Sequence, residues 1–278
     1  EAAANAVFRD RAWRFLVDNE RGESIDLRLG DQVVTIGATT ENGHVESETT
    51  LNDGGSLPTA DGWLRLAVQL PAGDDRRFEG AVQLLAPEGL SVVSDIDDTV
   101  KISEVTDRRA LLENTFLRPF AAVPGMPELY RRFGETGASF HYVSSSPWQL
   151  YEPLRDFLGD AALPAGSFHL RAFRLTDESV LNLFRESRLH KVPAIEGLIR
   201  DHPRRRFVLV GDSGEQDPEI YGQVARRYPR QVVGILIRDI GGDPAIDQRL
   251  AAAFAGVPAD RWLVFRDPSA IVALPIRR

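Results

Sequence analysis

Four short segments carry residue types suited to handling a phosphoryl group. The first is Asp95-Ile96-Asp97-Asp98-Thr99, directly after the apolar run Leu90-Ser91-Val92-Val93-Ser94. In an extended backbone residues i and i+2 share a side, so the carboxylates of Asp95 and Asp97 are expected to converge. Such a pair repels unless a cation binds or one member holds a proton. Either outcome suits phosphate chemistry, because Mg²⁺ takes one or two carboxylates plus phosphate oxygens and a protonated Asp can act as an acid. An acidic turn or a helix cap would use the same residues.

The second apolar run, Phe140-His141-Tyr142-Val143, stops at Ser144-Ser145-Ser146-Pro147-Trp148. Pro147 suits the first helical position and Ser146 the N-cap. The free backbone N–H groups of such a helix, with the Ser144 hydroxyl, would cradle an anion; a plain serine cap is the alternative. Lys191 stands just ahead of Pro193, which is expected to open a helix. A cation there opposes the macrodipole by about 0.3–1 kcal/mol, and a neighbouring phosphate reverses the sign; a solvated lysine is the common alternative. The run Arg206–Val210 ends in Gly211-Asp212-Ser213-Gly214-Glu215-Gln216-Asp217-Pro218. Gly211 permits close backbone approach, and Asp212 adds a third carboxylate. Asp217 before Pro218 is a good N-cap, a role compatible with a place near a metal. Arg238 ends the run Val232–Ile237 and falls on the same rim by topology. Gly211-Asp212-Ser213-Gly214 is also similar to the nucleophile segment of chymotrypsin-like proteases, but its setting between a strand and a helix argues against that all-β fold.

These segments need a scaffold that brings strand ends together. From residue 7 to about 86 the chain reads as short strands with period-2 alternation, separated by Asn42-Gly43, Asp53-Gly54-Gly55 and Asp61-Gly62. A small antiparallel β-sandwich over 1–88 is expected, with one weak helical stretch near 8–18. After Pro87-Glu88-Gly89, apolar runs at 90–94, 139–143, 206–210 and 232–237 alternate with helical patterns at 126–135, 148–158, 193–200 and 217–228. That alternation predicts an α/β domain with a parallel sheet over 89–278. Ligands of such sheets bind beyond the carboxyl ends of the strands.

Composition narrows the chemistry. The 278 residues hold no cysteine, which excludes disulfides, thiolate metal sites and a cysteine nucleophile. A net charge of −8 argues against nucleic acid as the partner. The five histidines show no HExxH-like spacing. No apolar stretch is long enough for a membrane span, and Glu1-Ala2-Ala3-Ala4-Asn5 does not look like a signal peptide. A cytoplasmic protein is expected, with peripheral membrane contact left open and with room for residues before Glu1. The 33 basic residues are 31 Arg and only two Lys, Lys101 and Lys191.

The order Asp-x-Asp-x-Thr, strand-terminal Ser, Lys, then Gly-Asp-x-x-x-x-Asp resembles the haloacid-dehalogenase superfamily of aspartate-nucleophile phosphatases. The resemblance covers about residues 89–270. Within it, Ser94–Lys101, Tyr142–Trp148 and Gly211–Glu219 are similar to the actin-patch-type Mg²⁺-dependent phosphatidate phosphatases, whose bacterial relatives also carry a β-rich N-terminal segment. The resemblance implies that Asp95 attacks phosphorus and that Asp97 protonates the leaving group and then deprotonates water. It implies that Thr99 orients the Asp97 loop, that Ser144 holds a phosphoryl oxygen with Ser145 and Ser146 beside it, and that Lys191 neutralises charge. Mg²⁺ would be held by Asp95, the Asp97 carbonyl and Asp212, with Asp217 adjacent. Lys101 receives no role.

Superfamily caps are inserted after the first or second motif. Only 44 residues separate Thr99 from Ser144 and 46 separate Ser144 from Lys191, so little or no cap and an open site are expected. An open site is compatible with a lipid phosphate. A soluble or protein phosphomonoester, transfer to an acceptor other than water, or an interaction module built on a relic phosphatase domain are the competing functions. No partner is assigned to the N-terminal region.

Overall fold

The structure is a computed structural model that describes residues 2–16, 20–51, 57–172 and 187–272. The chain divides into two compact units: Leu16–Ala86, and Pro87–Arg278 together with Glu1–Phe15.

In the smaller unit, β1 (Ser24–Leu29), β2 (Gln32–Ala38), β3 (Thr59–Ala60), β4 (Trp63–Val68) and β5 (Glu79–Gln83) form one antiparallel sheet, in the order β2-β1-β4-β3 with β5 paired to β4. The described strands make one antiparallel sheet in which β4 pairs with β1, β3 and β5. The turn expected at Asp53-Gly54-Gly55 lies outside the described residues. The division falls between Ala86 and Pro87, beside the expected boundary, but the first fifteen residues join the larger unit. Helix α1 spans Ala2–Leu16, and its residues up to Phe15 belong to the larger unit. The reason is side-chain chemistry: the Arg11 guanidinium donates to the carbonyls of Thr115 (2.5 Å) and Arg118 (2.9 Å), and Phe15 meets Phe116 edge-on at 5.6 Å.

The larger unit is built on a six-stranded, all-parallel sheet in the order β11-β10-β9-β6-β7-β8. The strands are β6 (Gly89–Ser94), β7 (Ser139–Pro147), β8 (Gly166–Arg171), β9 (Arg205–Asp212), β10 (Val232–Arg238) and β11 (Trp262–Phe265). The helices are α2 (Arg108–Phe116), α3 (Met126–Glu135), α4 (Tyr151–Asp160), α5 (Ser187–Asp201), α6 (Asp217–Arg227) and α7 (Ile246–Ala253). Both sheet faces are covered, so the central strands are apolar throughout rather than alternating. On one face Val92, Val208 and Leu236 pack with Leu129, Tyr130, Phe133 and Leu154 of α3 and α4. On the other, Val93, Leu209 and Ile235 pack with Ile195, Ile199, Ile220 and Val224 of α5 and α6. Burial of each such side chain contributes about 1.5–3 kcal/mol.

From β6 the chain builds outward to β7 and β8, then returns to build β9, β10 and β11 on the other side. The order therefore reverses between β6 and β9, and a crevice opens where two neighbouring connections leave in opposite directions. Asp95 directly follows β6, and Asp212 ends β9. Between Thr99 and Ser144 lie only α2, α3 and the start of β7. In the second interval α4 and β8 are described, and residues 173–186 lie outside the described residues. Among the described residues no helix is long and apolar enough to cross a membrane.

Arg205 is buried. Its guanidinium donates to the Ser91 hydroxyl (2.9 Å) and to the carbonyls of Glu88 (3.0 Å) and Leu90 (2.7 Å), pinning β9 to the start of β6.

Candidate active site

Asp95 is held at the switch point by its backbone. Its N–H donates to the Val210 carbonyl (2.9 Å), which also accepts the Tyr221 hydroxyl (3.0 Å). The carboxylate is 1% exposed and meets Lys191, itself fully buried, with Nζ 2.9 Å from Asp95 Oδ1. Lys191 also reaches Asp217 Oδ1 (2.6 Å) and Glu215 Oε2 (3.0 Å). The Thr99 hydroxyl donates to Asp95 Oδ2 at 3.4 Å, so Thr99 addresses Asp95 rather than the Asp97 carboxylate.

The helix carrying Lys191 begins earlier than expected. Helix α5 starts at Ser187, and Pro193 lies inside it, where the missing N–H leaves the Leu189 carbonyl without its intrahelical donor. Lys191 is therefore aimed from within a helix by packing, not stationed ahead of one.

Asp217 also differs from its expected capping role. Gln216 is the N-cap and Asp217 the first helical residue of α6, with its side chain turned inward to accept the Asp212 N–H (3.3 Å) and to pair with Lys191. Gly211 makes this approach feasible, because a Cβ there would overlap the Asp217 carboxylate. Asp212 Oδ1 accepts the Gly214 N–H (2.6 Å), while its buried Oδ2 has no hydrogen-bond partner.

Among the described residues, Asp95, Asp212 and Asp217 each bring a carboxylate oxygen within 4.8 Å of the others. With the half-buried Glu215, four acids face a single lysine. Burial raises the Asp95 carboxyl well above its ordinary range, and the neighbouring acids add to this against the pull of Lys191. Asp212 is raised for the same reasons, burial first and then Asp217 and Glu215. Burial opposes the charge on Lys191, but Asp217, Asp95 and Glu215 outweigh it and strengthen its hold on the proton. The excess negative charge, the all-oxygen donor set and the orphaned Asp212 oxygen fit a hard divalent cation.

Asp95 and Asp97 take different partners. Strand β6 ends at Ser94, and the chain coils at once, with the N–H groups of Val100 (3.0 Å) and Lys101 (2.9 Å) both donating to the Ile96 carbonyl. Asp97 turns instead toward Lys101, with Nζ 2.7 Å from Oδ1. Oδ1 also accepts the Ser103 hydroxyl (2.7 Å), and Oδ2 accepts the hydroxyls of Ser146 (2.8 Å) and Ser144 (3.2 Å). Burial pushes the Asp97 carboxyl up, but Lys101 and the Ser103 and Ser146 hydroxyls outweigh it and hold it at about 2.

The serine segment is strand rather than cap. Strand β7 runs through Pro147, a 3-10 turn covers Trp148–Leu150, and α4 starts only at Tyr151. Ser146 thus spends its hydroxyl on Asp97, and its N–H donates to the Ser144 hydroxyl (3.0 Å). The Ser145 hydroxyl is buried and has no hydrogen-bond partner. Arg238 is partly buried, and its Nη1 donates to the Asp98 carbonyl (2.5 Å), supporting the loop after β6.

Three residues that sequence reasoning passed over complete the site. Glu215 joins Lys191, and Ser103 joins Asp97. Asp98, in the left-handed region at φ 51, accepts the N–H groups of Ser103 (2.9 Å), Glu104 (2.9 Å) and Val105 (2.6 Å). The signals were faint: a third Asp in the first motif, and a Ser two residues beyond a rare Lys.

Residues 90–239 match the family model of the phosphatidate phosphatase APP1 catalytic domain. The chain is 34% identical over 158 residues to phosphatidate phosphatase APP1 of Saccharomyces cerevisiae, covering 55% of this chain and 26% of that protein. It is also 34% identical over 172 residues to an uncharacterized Schizosaccharomyces pombe protein, covering 60% of this chain and 28% of the relative. The chain thus spans only about a quarter of the length of these curated relatives. A solved Pnkp1/Rnl/Hen1 complex is similar at TM-score 0.38 and 13% identity, over 63% of this chain and 58% of that one. A D,D-heptose 1,7-bisphosphate phosphatase from B. bronchiseptica is similar at TM-score 0.29 and 12% identity, over 66% and 96%. The matched span of 90–239 begins within β6, ends just past β10 and contains Asp95, Asp97, Ser144, Lys191, Asp212 and Asp217, and by that match the chain belongs to the phosphatidate phosphatase APP1 catalytic-domain family.

Proposed function

We propose that this chain hydrolyses phosphoric monoesters through an aspartyl-phosphate, with Mg²⁺ as cofactor and a lipid phosphate of the phosphatidate type as substrate. The observation that carries the reading is Asp95, a buried carboxylate at the switch point, flanked by Lys191 and by the acids Asp212 and Asp217. The lipid assignment rests on membership of a family described by phosphatidate phosphatase activity.

Asp95 attacks phosphorus while the bond to the leaving alkoxide breaks, and Asp97, whose carboxyl takes up a proton as Ser144 and Ser146 turn from it to the phosphoryl group, supplies the alkoxide's proton. Water then attacks the aspartyl-phosphate, Asp97 takes its proton, and Asp95 and inorganic phosphate are released. Splitting one displacement into two lowers each barrier. Lys191 offsets negative charge between nucleophile and phosphoryl group, in a buried setting where such a charge acts strongly. The hydroxyls of Ser144, Ser145 and Ser146 serve as phosphoryl-oxygen donors. Asp95, Asp212 and Asp217, with the Asp97 carbonyl, would hold Mg²⁺, which supplies charge neutralisation at the phosphoryl oxygens. A substrate presented at a membrane surface suits a site over whose two cap intervals the described residues place no whole α-helix or strand besides α2, α3, α4 and β8.

Two measurements test this. Asp95→Asn should lose at least about a thousandfold in turnover; activity retained in that variant refutes the nucleophile. Phosphatidate in mixed micelles should exceed a panel of soluble phosphomonoesters in kcat/KM, and an equal or better sugar phosphate refutes the lipid assignment.

A further inference from the structure

Lys101 is one of only two lysines in the chain, is 1% exposed, and touches neither the Asp95 cluster nor Lys191. Its ammonium is committed to one place. Nζ pairs with Asp97 Oδ1 at 2.7 Å, bonds the Ser103 hydroxyl, and lies 4.8 Å from the centre of the Phe120 ring. A buried ammonium over an aromatic face and against a carboxylate has little freedom to leave.

The donors around Asp97 fall into two groups by origin. Oδ1 is held from the chain just past the first motif, by Lys101 and Ser103. Oδ2 is held from the end of β7, by Ser144 and Ser146. These two serines belong to the segment assigned to phosphoryl oxygens. When they turn to a phosphoryl group, Oδ2 loses its donors and becomes a free acceptor facing the reaction, while Oδ1 stays fixed.

We propose that Lys101, with Ser103, is a positioning residue that anchors Asp97 Oδ1 so that Oδ2 is presented to the hydrolytic water. This rests on the aspartyl-phosphate reading. In the step concerned, the water oxygen bonds to phosphorus and the P–O bond to Asp95 breaks, returning its electron pair to the Asp95 carboxylate. The water proton passes to Asp97 Oδ2. A misaligned acceptor slows this step specifically, because proton transfer requires hydrogen-bond reach to the water.

p-Nitrophenyl phosphate separates the steps, since its leaving group departs without a proton from Asp97. With Mg²⁺ present, Lys101→Met should release a burst of p-nitrophenol close to one equivalent of enzyme. A steady state about a hundredfold slower than wild type should follow, the scale of a lost general base. Quenched variant protein should carry a phosphoryl group on Asp95 by peptide mass. Ser103→Ala, a smaller lesion, should show the same signature with weaker slowing, and it carries the test if Lys101→Met does not fold. Burst and steady-state rates falling in parallel, or an unchanged steady state, overturn the assignment of Lys101. Turnover retained in Asp95→Asn, with no phosphorylated Asp95 in any variant, overturns the aspartyl-phosphate itself, so the two failures are distinct.

Discussion

Lys191 Nζ lies 2.6 Å from Asp217 Oδ1 with both side chains fully buried, so an ion pair inside the site ties α5 to α6. Removing the cation by Lys191→Met leaves Asp95, Asp217 and Glu215 without their shared partner. Breaking a buried pair of this kind costs about 3–5 kcal/mol. The variant should melt well below wild type in calorimetry and should be inactive. Lys191→Arg keeps the charge but brings a broad planar fork into a space fitted to a compact ammonium, and turnover should fall by about a hundredfold or more.

The acidic cluster makes stability depend on pH in a definite direction. Asp95 and Asp212 have folded values raised above 3.8, so their contribution is complete below 3.8 and is lost as pH rises through the folded values. Asp97 behaves oppositely: although burial pushes it up, Lys101 and the serines hold it at about 2, so its contribution is present above 3.8 and lost as pH falls toward 2. The cluster's contribution to the melting temperature in chelator should therefore decline from the acid side toward neutrality. It is superimposed on the opposite trend of carboxyls held low elsewhere, such as Glu219 and Asp239, and of the buried His141 and half-buried His169. Asp212→Asn should flatten that decline. A wild-type-minus-variant difference independent of pH contradicts the assignment.

A divalent cation should reverse the same decline. Binding only the folded state adds RT ln(1 + [L]/Kd), about 2.7 kcal/mol at a hundredfold excess over Kd. Titration calorimetry with Mg²⁺ should detect one site in the wild type, and Asp212→Asn should weaken it by at least about tenfold. Undiminished affinity in that variant would place the ion elsewhere.

Asp98 organises the loop rather than the chemistry. Its carboxylate accepts three successive N–H groups while its backbone sits at φ 51. Asp98→Ala strands those donors and keeps a conformation that alanine disfavours, at about 1–3 kcal/mol. Amide exchange should accelerate at Ser103, Glu104 and Val105 before it does in the sheet. Asp98→Gly should recover the backbone part of the loss but not the hydrogen bonds.

Gly211 is constrained by space alone. A Cβ would overlap the Asp217 carboxylate, so Gly211→Ala must displace Asp217 from Lys191 and Asp212. The variant should lose Mg²⁺ affinity and turnover together, read by calorimetry and a phosphate-release assay, while far-ultraviolet circular dichroism stays close to wild type.

The sequence by itself determined the parallel α/β unit and the four strand ends that meet at its crevice. Apolar runs buried on both faces, such as Val92-Val93 and Val208-Leu209, are readable from composition, and strand-end chemistry follows from topology. It also determined that two lysines stand apart from 31 arginines. Only the tertiary structure decided what each lysine does. Lys191 and Lys101 each find one aspartate of the first motif, because β6 stops at Ser94 and the coil after it sends Asp95 toward α5 and Asp97 back on itself. Local rules gave Asp217 and Ser146 to helix caps, since Asp-Pro and Ser-Pro are good cap sequences. Long-range charge overrode them: a buried ammonium in one case and a buried carboxylate in the other need partners more than a helix terminus does. Helix α1 shows the same limit, because the carbonyls that Arg11 binds lie about a hundred residues further along the chain.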